Sequence, residues 1–590
     1  MIQAVRQRRV WKLLSQSLRV LCVGRVQRGT FPIPVFHRYL LTLIERWQQC
    51  WTFARVTANR SEASRGLQTL DPGFRKADQD YKVPSGLFIN NQFVPSLTCS
   101  TVEVQNPWND EKLGTISAAT LGDVNAAVKA ASAAFSSGWK GTPASVRGTL
   151  LSKLATLVER DAEVLATIEA IDAGVLYGDS KNLNVPQAID TLRYFAKLAG
   201  EPGGQLLDIT GGYAHVLRQP YGVCAAIVPW NAPLYVSPLM DNQSHHKLTT
   251  GRVIILILYR MITMWKLAPA LAGGNTIVIK TPELTPLYGQ KLAQLIKEAG
   301  FPPGVVNIIC GLGHVAGQAL AEHMEVRKIS FTGSGPTGRS ILRAAANTNL
   351  KKVTLELGGK GASLVFADAD LENALFWTSL GSTAHNGQVC ALGSRIYVQS
   401  SIYDKFIQAF KARASGQATS HGDPLNESTN KGPLVSSGQH KKILQYIDKG
   451  LDEGASILFG GKALGNGNFV ENTVFTNTRE DMTIVKEEIF GPVAVIAKFD
   501  SEEEVIHKAN DSEYGLSAAV FTSDLSRAHR VSQALEVGTV TVNCWGMLSA
   551  NTPFGRVKQS GFGRDLGKEA LEEWTTVKTV KHFLLGSAKL

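Results

Sequence analysis

A glycine-rich turn carries the first recognisable chemistry in this chain. Ile329-Ser330-Phe331-Thr332 runs into Gly333-Ser334-Gly335-Pro336-Thr337-Gly338 and then into a helical pattern from Arg339. A G-x-G-x-x-G that follows a strand and opens a helix can hold a dinucleotide's pyrophosphate against backbone N–H groups and the positive end of a helix. The same spacing also fits an ordinary tight strand-to-helix turn. The fingerprint expects an acid about 20 residues further on; Glu356 lies 18 beyond Gly338, which taken alone makes it a ribose ligand. A second carboxylate competes for that role. The β-branched run Thr276–Ile279 ends in Lys280-Thr281-Pro282-Glu283, where a ligand at a sheet edge would sit. Glu283 could accept from ribose hydroxyls and Lys280 donate to them, or the two could form only a surface ion pair. A carboxylate there repels a 2′-phosphate, so NAD is favoured over NADP. Spacing alone leaves the choice between Glu283 and Glu356 open.

The seven cysteines (22, 50, 99, 224, 310, 390 and 544) are scattered, odd in number and without a C-x-x-C pair. That argues against a disulfide framework or a zinc site, so no metal is expected, and it favours a reducing compartment. A lone Cys is usually a small buried hydrophobe, which suits six of the seven. Cys390 differs by its company: Asn386-Gly387-Gln388-Val389-Cys390 is a turn-rich segment ahead of the strand Ile396–Val398. With the run from Val353 through Glu356 to Lys360, this segment resembles the two signature motifs of the NAD(P)-dependent aldehyde dehydrogenase superfamily. The resemblance extends from about Gly86 to Val580. It takes in Pro229-Trp230-Asn231, Lys280 to Glu283, Phe331 to Ser334, Glu488-Ile489-Phe490-Gly491-Pro492 and Pro553 to Gly561, in family order.

That resemblance implies roles residue by residue. Cys390 is the nucleophile, whose thiolate attacks an aldehyde to give a thiohemiacetal. The side-chain amide of Asn231 and the Cys390 backbone N–H form the oxyanion hole. After hydride transfer a thioester remains, and Glu356 is the general base for the water that hydrolyses it; Glu356 thereby passes from ribose binding to catalysis. Lys280 and Glu283 take the adenine-side ribose, and Gly333, Ser334 and Gly338 the phosphate turn. Glu488 takes the nicotinamide ribose with Phe490 beside it, and Trp230 completes the cofactor contacts. Relatives that pass the acyl group to coenzyme A generally lack the acid at Glu356, so hydrolysis to a free carboxylic acid is expected. Gly555-Arg556-Val557-Lys558 departs from the family's Gly-Gly-x-Lys, and Arg556 is expected to add bulk near the substrate tunnel.

The elements that must position these groups read as α/β. Strand-like runs at Val223–Val228, Thr276–Ile279, Val305–Ile309 and Lys328–Phe331 alternate with helical stretches such as Leu121–Phe135, Val146–Ala170 and Leu287–Ala299. Alternation of that kind builds a parallel sheet with helices on both faces. Ligands of such sheets sit at the carboxyl ends of the strands. A Rossmann-like dinucleotide-binding domain is expected over 75–201 and 221–358, and an α/β catalytic domain over 359–570. Residues 202–220 and 571–590 are the family's oligomerisation strands, which implies a homodimer or homotetramer.

With 590 residues, 44% hydrophobic and 19% charged, the chain is long enough for two or three globular domains. Its longest apolar run, Val253–Tyr259, spans seven residues and is too short to cross a bilayer, so no integral membrane segment is expected. The net charge of +11 is concentrated at one end: residues 1 to 66 hold eleven Arg, one Lys and two acids, or +10, which leaves +1 for the rest. A near-neutral body offers no footprint for phosphate backbones, so nucleic acid is not an expected partner; a small-molecule aldehyde is. The basic leader, 1–74, reads as a disordered tail, as upstream sequence wrongly included in a gene model, or as a transit segment. A cytoplasmic location is expected, or the mitochondrial matrix if the leader is a transit segment.

One segment breaks the family spacing. Removing residues 235 to 260, 26 in all, joins Leu234 to Met261 and restores the family distance from Pro-Trp-Asn to Trp265-Lys266. The segment lacks a helix cap and a clean periodicity, Tyr235-Val236-Ser237 is compatible with a splice-donor string and Tyr259-Arg260 with an acceptor-like end. A retained intron of 78 nucleotides is the reading, against a genuine family-specific loop. Because the segment follows the oxyanion donor directly, a catalytically impaired or misannotated member is the rival to an active enzyme. A cysteine hydrolase acting without a cofactor is a third.

Overall fold

Strands covered by helices on both faces have no side turned to water, so they can be apolar throughout. Val223–Ile227, Thr276–Thr281, Val306–Cys310 and Lys328–Thr332 are buried at every position. The computed structural model describes residues 67–69, 82–201, 203–231, 262–416 and 420–584. Of the expected leader 1–74 only Leu67–Thr69 is among them, a strand paired antiparallel with Lys82–Pro84; the segment 235–260 lies outside the described residues. The described residues belong to one compact unit.

The first large sheet has the order Gly561–Phe562, Lys352–Glu356, Lys328–Thr332, Val223–Ile227, Thr276–Thr281, Val306–Cys310, Leu87–Ile89, Gln92–Val94. Its central five strands are parallel. Successive side chains alternate between two cores, as a period of two requires. Cys224, Ala226, Ile277 and Ile279 face the helices Ala144–Arg160, Val185–Leu198, Ile262–Ala272 and Leu287–Ala299. Ala225, Val278 and Ile329 face Leu121–Ser137 and Gly335–Ala346. The helical stretch read as Val146–Ala170 is two helices: Asp161, at φ −97° and ψ 21°, separates Ala144–Arg160 from Ala162–Ala173. Its carboxylate is held by Lys291 at 2.7 Å and Arg160 at 2.6 Å.

Chain order within the five parallel strands is 5-4-1-2-3, so the connections leave Val223–Ile227 and Lys328–Thr332 in opposite directions. A crevice opens at such a reversal, between the residues that follow the two strands. Those residues are Val228 to Asn231 on one side and Gly333 and Ser334 on the other.

The second large sheet has the order Ser456–Phe459, Thr473–Thr476, Val493–Phe499, Arg395–Gln399, Ala362–Val365, Ser517–Phe521, Thr539–Val542. Only the first of these strands is antiparallel to its neighbour. Position along the chain groups residues 561–562 with this later half, yet Gly561 and Phe562 pair with Glu356 and Leu355 of the first sheet. A third, antiparallel sheet joins Gln205–Ile209, Gly212–Pro220 and Thr575–Phe583. Leu206, Val577 and Phe583 on it are 65%, 55% and 63% exposed. Among the described residues no helix is long and apolar enough to cross a membrane, and no group of three or more His, Cys, Asp or Glu could hold a metal ion.

Candidate active site

Cys390 sits in a loop whose path is forced by three consecutive left-handed residues. The helix Leu371–Thr383 ends, and His385, Asn386 and Gly387 follow at φ +46°, +54° and +72°. Asn tolerates this region better than most residues, and Gly without strain. At Gly387 there is a second requirement, because a Cβ would fall on the Gly491 carbonyl. The Asn386 amide fixes the turn by donating to the carbonyls of Gly432 at 2.8 Å and Pro433 at 3.2 Å. Burial pushes the His385 imidazole down to about 4, so no charge accompanies the turn at neutral pH. Beyond it Cys390 is buried, and the Ala391 carbonyl after it accepts from Trp545 Nε1 at 3.0 Å.

Glu356 is the last residue of its strand and is fully buried. Its backbone carbonyl accepts from the Gly333 N–H at 2.9 Å. Oε2 accepts from the Thr332 hydroxyl at 3.2 Å, while Oε1 lies 3.6 Å from Cys390 Sγ. The chain then leaves the sheet through two glycines that permit close approach. A Cβ on Gly359 would strike the Cys390 carbonyl, and one on Gly358 the Glu488 carboxylate. The Gly359 N–H donates to Glu488 Oε1 at 3.0 Å. The packed surroundings push the Glu488 carboxyl up to about 7, with that N–H opposing the shift.

Asn231 is buried and donates from Nδ2 to the Gln388 carbonyl at 3.0 Å. That bond ties the residues after the first strand to the cysteine loop. Trp230 and Phe490 meet edge to face with ring centroids 5.2 Å apart. The carboxyl edge of the first sheet and the amino edge of the second therefore share one locus, occupied by Cys390, Glu356, Asn231 and Glu488 with the two rings beside it.

Lys280 and Glu283 stand at the end of the strand Thr276–Thr281. Their ion pair measures 2.7 Å, with Lys280 buried and Glu283 partly exposed. Burial raises the Glu283 carboxyl, and Lys280 together with the Glu283 and Gly313 backbone N–H groups more than offsets this, so the carboxyl lies below its ordinary value. Lys280 is level with Ile227, which is level with Phe331, so the pair lies along the same sheet edge as the glycine turn.

In that turn the two glycines do different work from the serine. The N–H of Gly333 is spent on Glu356, and that of Gly338 on the Ser334 carbonyl within the helix. Gly338 allows close packing of helix on strand, since a Cβ would meet Leu357 at 2.9 Å. Ser334 precedes the helix Gly335–Ala346 and is exposed, its hydroxyl 3.0 Å from that of Thr337.

A buried charge cluster behind Glu356 escaped the sequence reading. Lys266 Nζ lies 2.7 Å from both oxygens of Asp565 and 3.7 Å from Glu356 Oε2. Arg556, expected to add bulk near the substrate tunnel, has its side chain fully buried in this cluster. Nε donates to the Leu355 carbonyl at 2.6 Å, Nη1 to Asp565 at 2.9 Å, and Nη1 is 3.9 Å from Glu356 Oε2. Burial pushes the Asp565 carboxyl up, but Lys266 and then Arg556 override it and hold the group well below the usual carboxylate range. One signal was present in the chain. Lys266 is the sole charge in the apolar helix Ile262–Ala272, and a lysine is almost never fully buried unless paired.

Comparisons with known proteins place most of the chain in one family. The model of the "Aldehyde dehydrogenase family" matches residues 93–256 and 260–580. An aldehyde dehydrogenase of Davidiella tassiana is 46% identical over 502 residues, covering 85% of this chain and 95% of that protein. Aldehyde dehydrogenase 1A1 of Gallus gallus is 45% identical over 514 residues, covering 86% and 96%. Among solved structures, the NAD+ complex of an aldehyde dehydrogenase from Bacillus cereus superposes with a TM-score of 0.79 at 39% identity, covering 85% of this chain and 96% of that one.

Proposed function

The chain belongs to the aldehyde dehydrogenase family, and from that premise we propose that it oxidises an aldehyde to a carboxylic acid with NAD, using Cys390 as nucleophile and Glu356 as base. The observation that carries this reading is the 3.6 Å separation of Cys390 Sγ and Glu356 Oε1 inside a buried site. Cys390 adds as thiolate to the carbonyl carbon, forming the C–S bond and an alkoxide oxygen. A primary amide has two N–H donors. One on Asn231 holds the Gln388 carbonyl and the other, with the Cys390 N–H, can serve that oxygen. When bound, the nicotinamide supplies the acceptor for the hydride, which departs with its electron pair and leaves a thioester on Cys390. Glu356 takes a proton from water as the water oxygen attacks the thioester carbon. The C–S bond breaks, the thiolate returns and the acid is released.

The residues present fit the dinucleotide. Gly358 permits the close approach of Glu488, whose carboxylate can accept from the nicotinamide ribose, with Phe490 and Trp230 adjoining. Lys280 and Glu283 suit the adenine-side ribose, and Glu283 opposes a 2′-phosphate, which favours NAD over NADP. Of the glycine turn, Ser334 offers polar groups outward while Gly333 and Gly338 shape the backbone. The binding domain spans 75–201 and 221–358 and the catalytic domain 359–570, with 561–562 lent to the first sheet. The exposed apolar residues of the three-stranded sheet, with its edge strand Gln205–Ile209, support assembly into a homodimer or homotetramer. Cys224, Cys310 and Cys544 are free thiols, which suits the cytoplasm or another reducing compartment.

NADH formation from a panel of aldehydes tests the reading. Cys390→Ala should abolish turnover while leaving NAD affinity intact; a variant that still turned over would refute it.

A further inference from the structure

The charge count around Glu356 assigns a task to Arg556. Two carboxylates, Glu356 and Asp565, share a buried pocket, and both are at most 3% exposed. The groups facing Glu356 come from every element packed on it: Lys266 from the helix Ile262–Ala272, Thr332 from the neighbouring strand, Cys390 from the loop, and Arg556 and Asp565 from the C-terminal turns. Lys266 is bound to both oxygens of Asp565 and balances that charge. With Lys266 alone, Glu356 would have to ionise beside a neutral pair one member of which is a carboxylate. Two buried carboxylates served by one cation retain a proton between them, because like charges in close contact disfavour double ionisation.

Arg556 supplies the missing charge. Its guanidinium is fixed by the Leu355 carbonyl and Asp565, and no acceptor for its Nη2 lies among the described residues. That rigidity keeps Nη1 3.9 Å from Glu356 Oε2. Oε2 is thus turned toward the cations and Thr332, and Oε1 toward Cys390.

Resting on the reading of Glu356 as the base, we propose that Arg556 is a positioning residue for thioester hydrolysis, the second buried cation that lets Glu356 stand as a carboxylate facing Cys390 while Asp565 is also ionised. Arg556 touches neither substrate nor water in this scheme; it acts through Glu356. The chemistry of the step is unchanged: water loses a proton to Glu356, the C–O bond forms and the C–S bond breaks.

The test is hydrolysis of p-nitrophenyl acetate without nicotinamide. Its burst reports acylation of Cys390, and its steady phase reports hydrolysis of the acyl enzyme. Arg556→Gln should keep the burst and move the acid limb of the steady phase upward by about 1 to 3 pH units, the range for losing an opposite charge at this distance. Below the new midpoint the steady phase should slow about tenfold for each pH unit through which the limb has moved. Arg556→Lys should return the limb toward its original position. The double variant Arg556→Gln with Asp565→Asn leaves Lys266 against Glu356 alone and should also return it, which keeps the test open if the single variant does not fold. A loss by the same factor at every pH, or a limb that stays put or moves down, would overturn the proposal in favour of a purely structural arginine. Glu356→Gln must erase the acid limb; if it does not, the base is another group and the reading beneath the proposal fails first.

Discussion

Lys266 is the charge on which the buried cluster is built, and Lys266→Met removes it with little change in volume. At 2.7 Å and an effective dielectric of about 20, its attraction to Asp565 is about 6 kcal/mol before desolvation is counted. Burying the ammonium costs several kcal/mol, so the intact pair contributes far less than that figure. Removing one partner is a different matter, because Asp565 stays buried without its bidentate cation, and breaking a buried pair costs about 3 to 5 kcal/mol. Urea unfolding at fixed protein concentration, followed by tryptophan fluorescence, should therefore show a loss in that range at neutral pH. The sign with pH follows from Asp565. Its folded pKa lies below its unfolded one, so its contribution is present above the ordinary carboxylate pKa, about 4, and is lost as pH falls through the folded value. The gap between wild type and variant should be widest near neutrality and narrow in acid. A loss under about 1 kcal/mol, the worth of an exposed pair, or a gap that widens in acid would refute the reasoning.

Three further outcomes follow. Glu488, pushed up to about 7, accepts more strongly from a ribose as a carboxylate than as the acid, so NAD affinity measured by titration should rise with pH through about 7 and level off above it; Glu488→Gln should flatten that dependence. Glu283→Gln removes the negative charge facing a 2′-phosphate and should raise kcat/KM for NADP relative to NAD by about tenfold or more, a ratio that must stay fixed if Glu283 is only a partner of Lys280. If residues 235–260 are a retained intron, transcript reads should join the codons for Leu234 and Met261; uniform retention would establish the segment as protein.

Much of the first sheet was legible because its strands Val223–Ile227, Thr276–Thr281, Val306–Cys310 and Lys328–Thr332 are dominated by apolar and β-branched residues. The helix predicted at Leu287–Ala299 is the helix observed. The break at Asp161 was not legible, since the apolar spacing continues through it and the carboxylate's partner Lys291 lies far along the chain. Within the site, the resemblance pointed to Cys390, Glu356, Asn231 and Glu488, whereas a rule about carboxyl ends of strands points only to the first sheet. Cys390 belongs to the amino edge of the second, so the rule by itself would have missed it. Spacing suggested Gly333 as a phosphate donor, yet its N–H is bonded to Glu356, a partner 23 positions away that only strand pairing brings near.

The order and types of residues, taken alone, determined that this chain makes parallel α/β layers and carries a cysteine in unusual company; the family resemblance, not spacing, gave the Glu356 carboxylate its expected part in hydrolysis. Folding decided which charges share a buried space. Lys266, Arg556 and Asp565 lie on segments separated by nearly 300 residues, and Lys266 and Asp565 are 299 apart. Their energies depend on distance and dielectric, and neither is a property of linear spacing; strand pairing at Leu355 and Glu356 sets both at once.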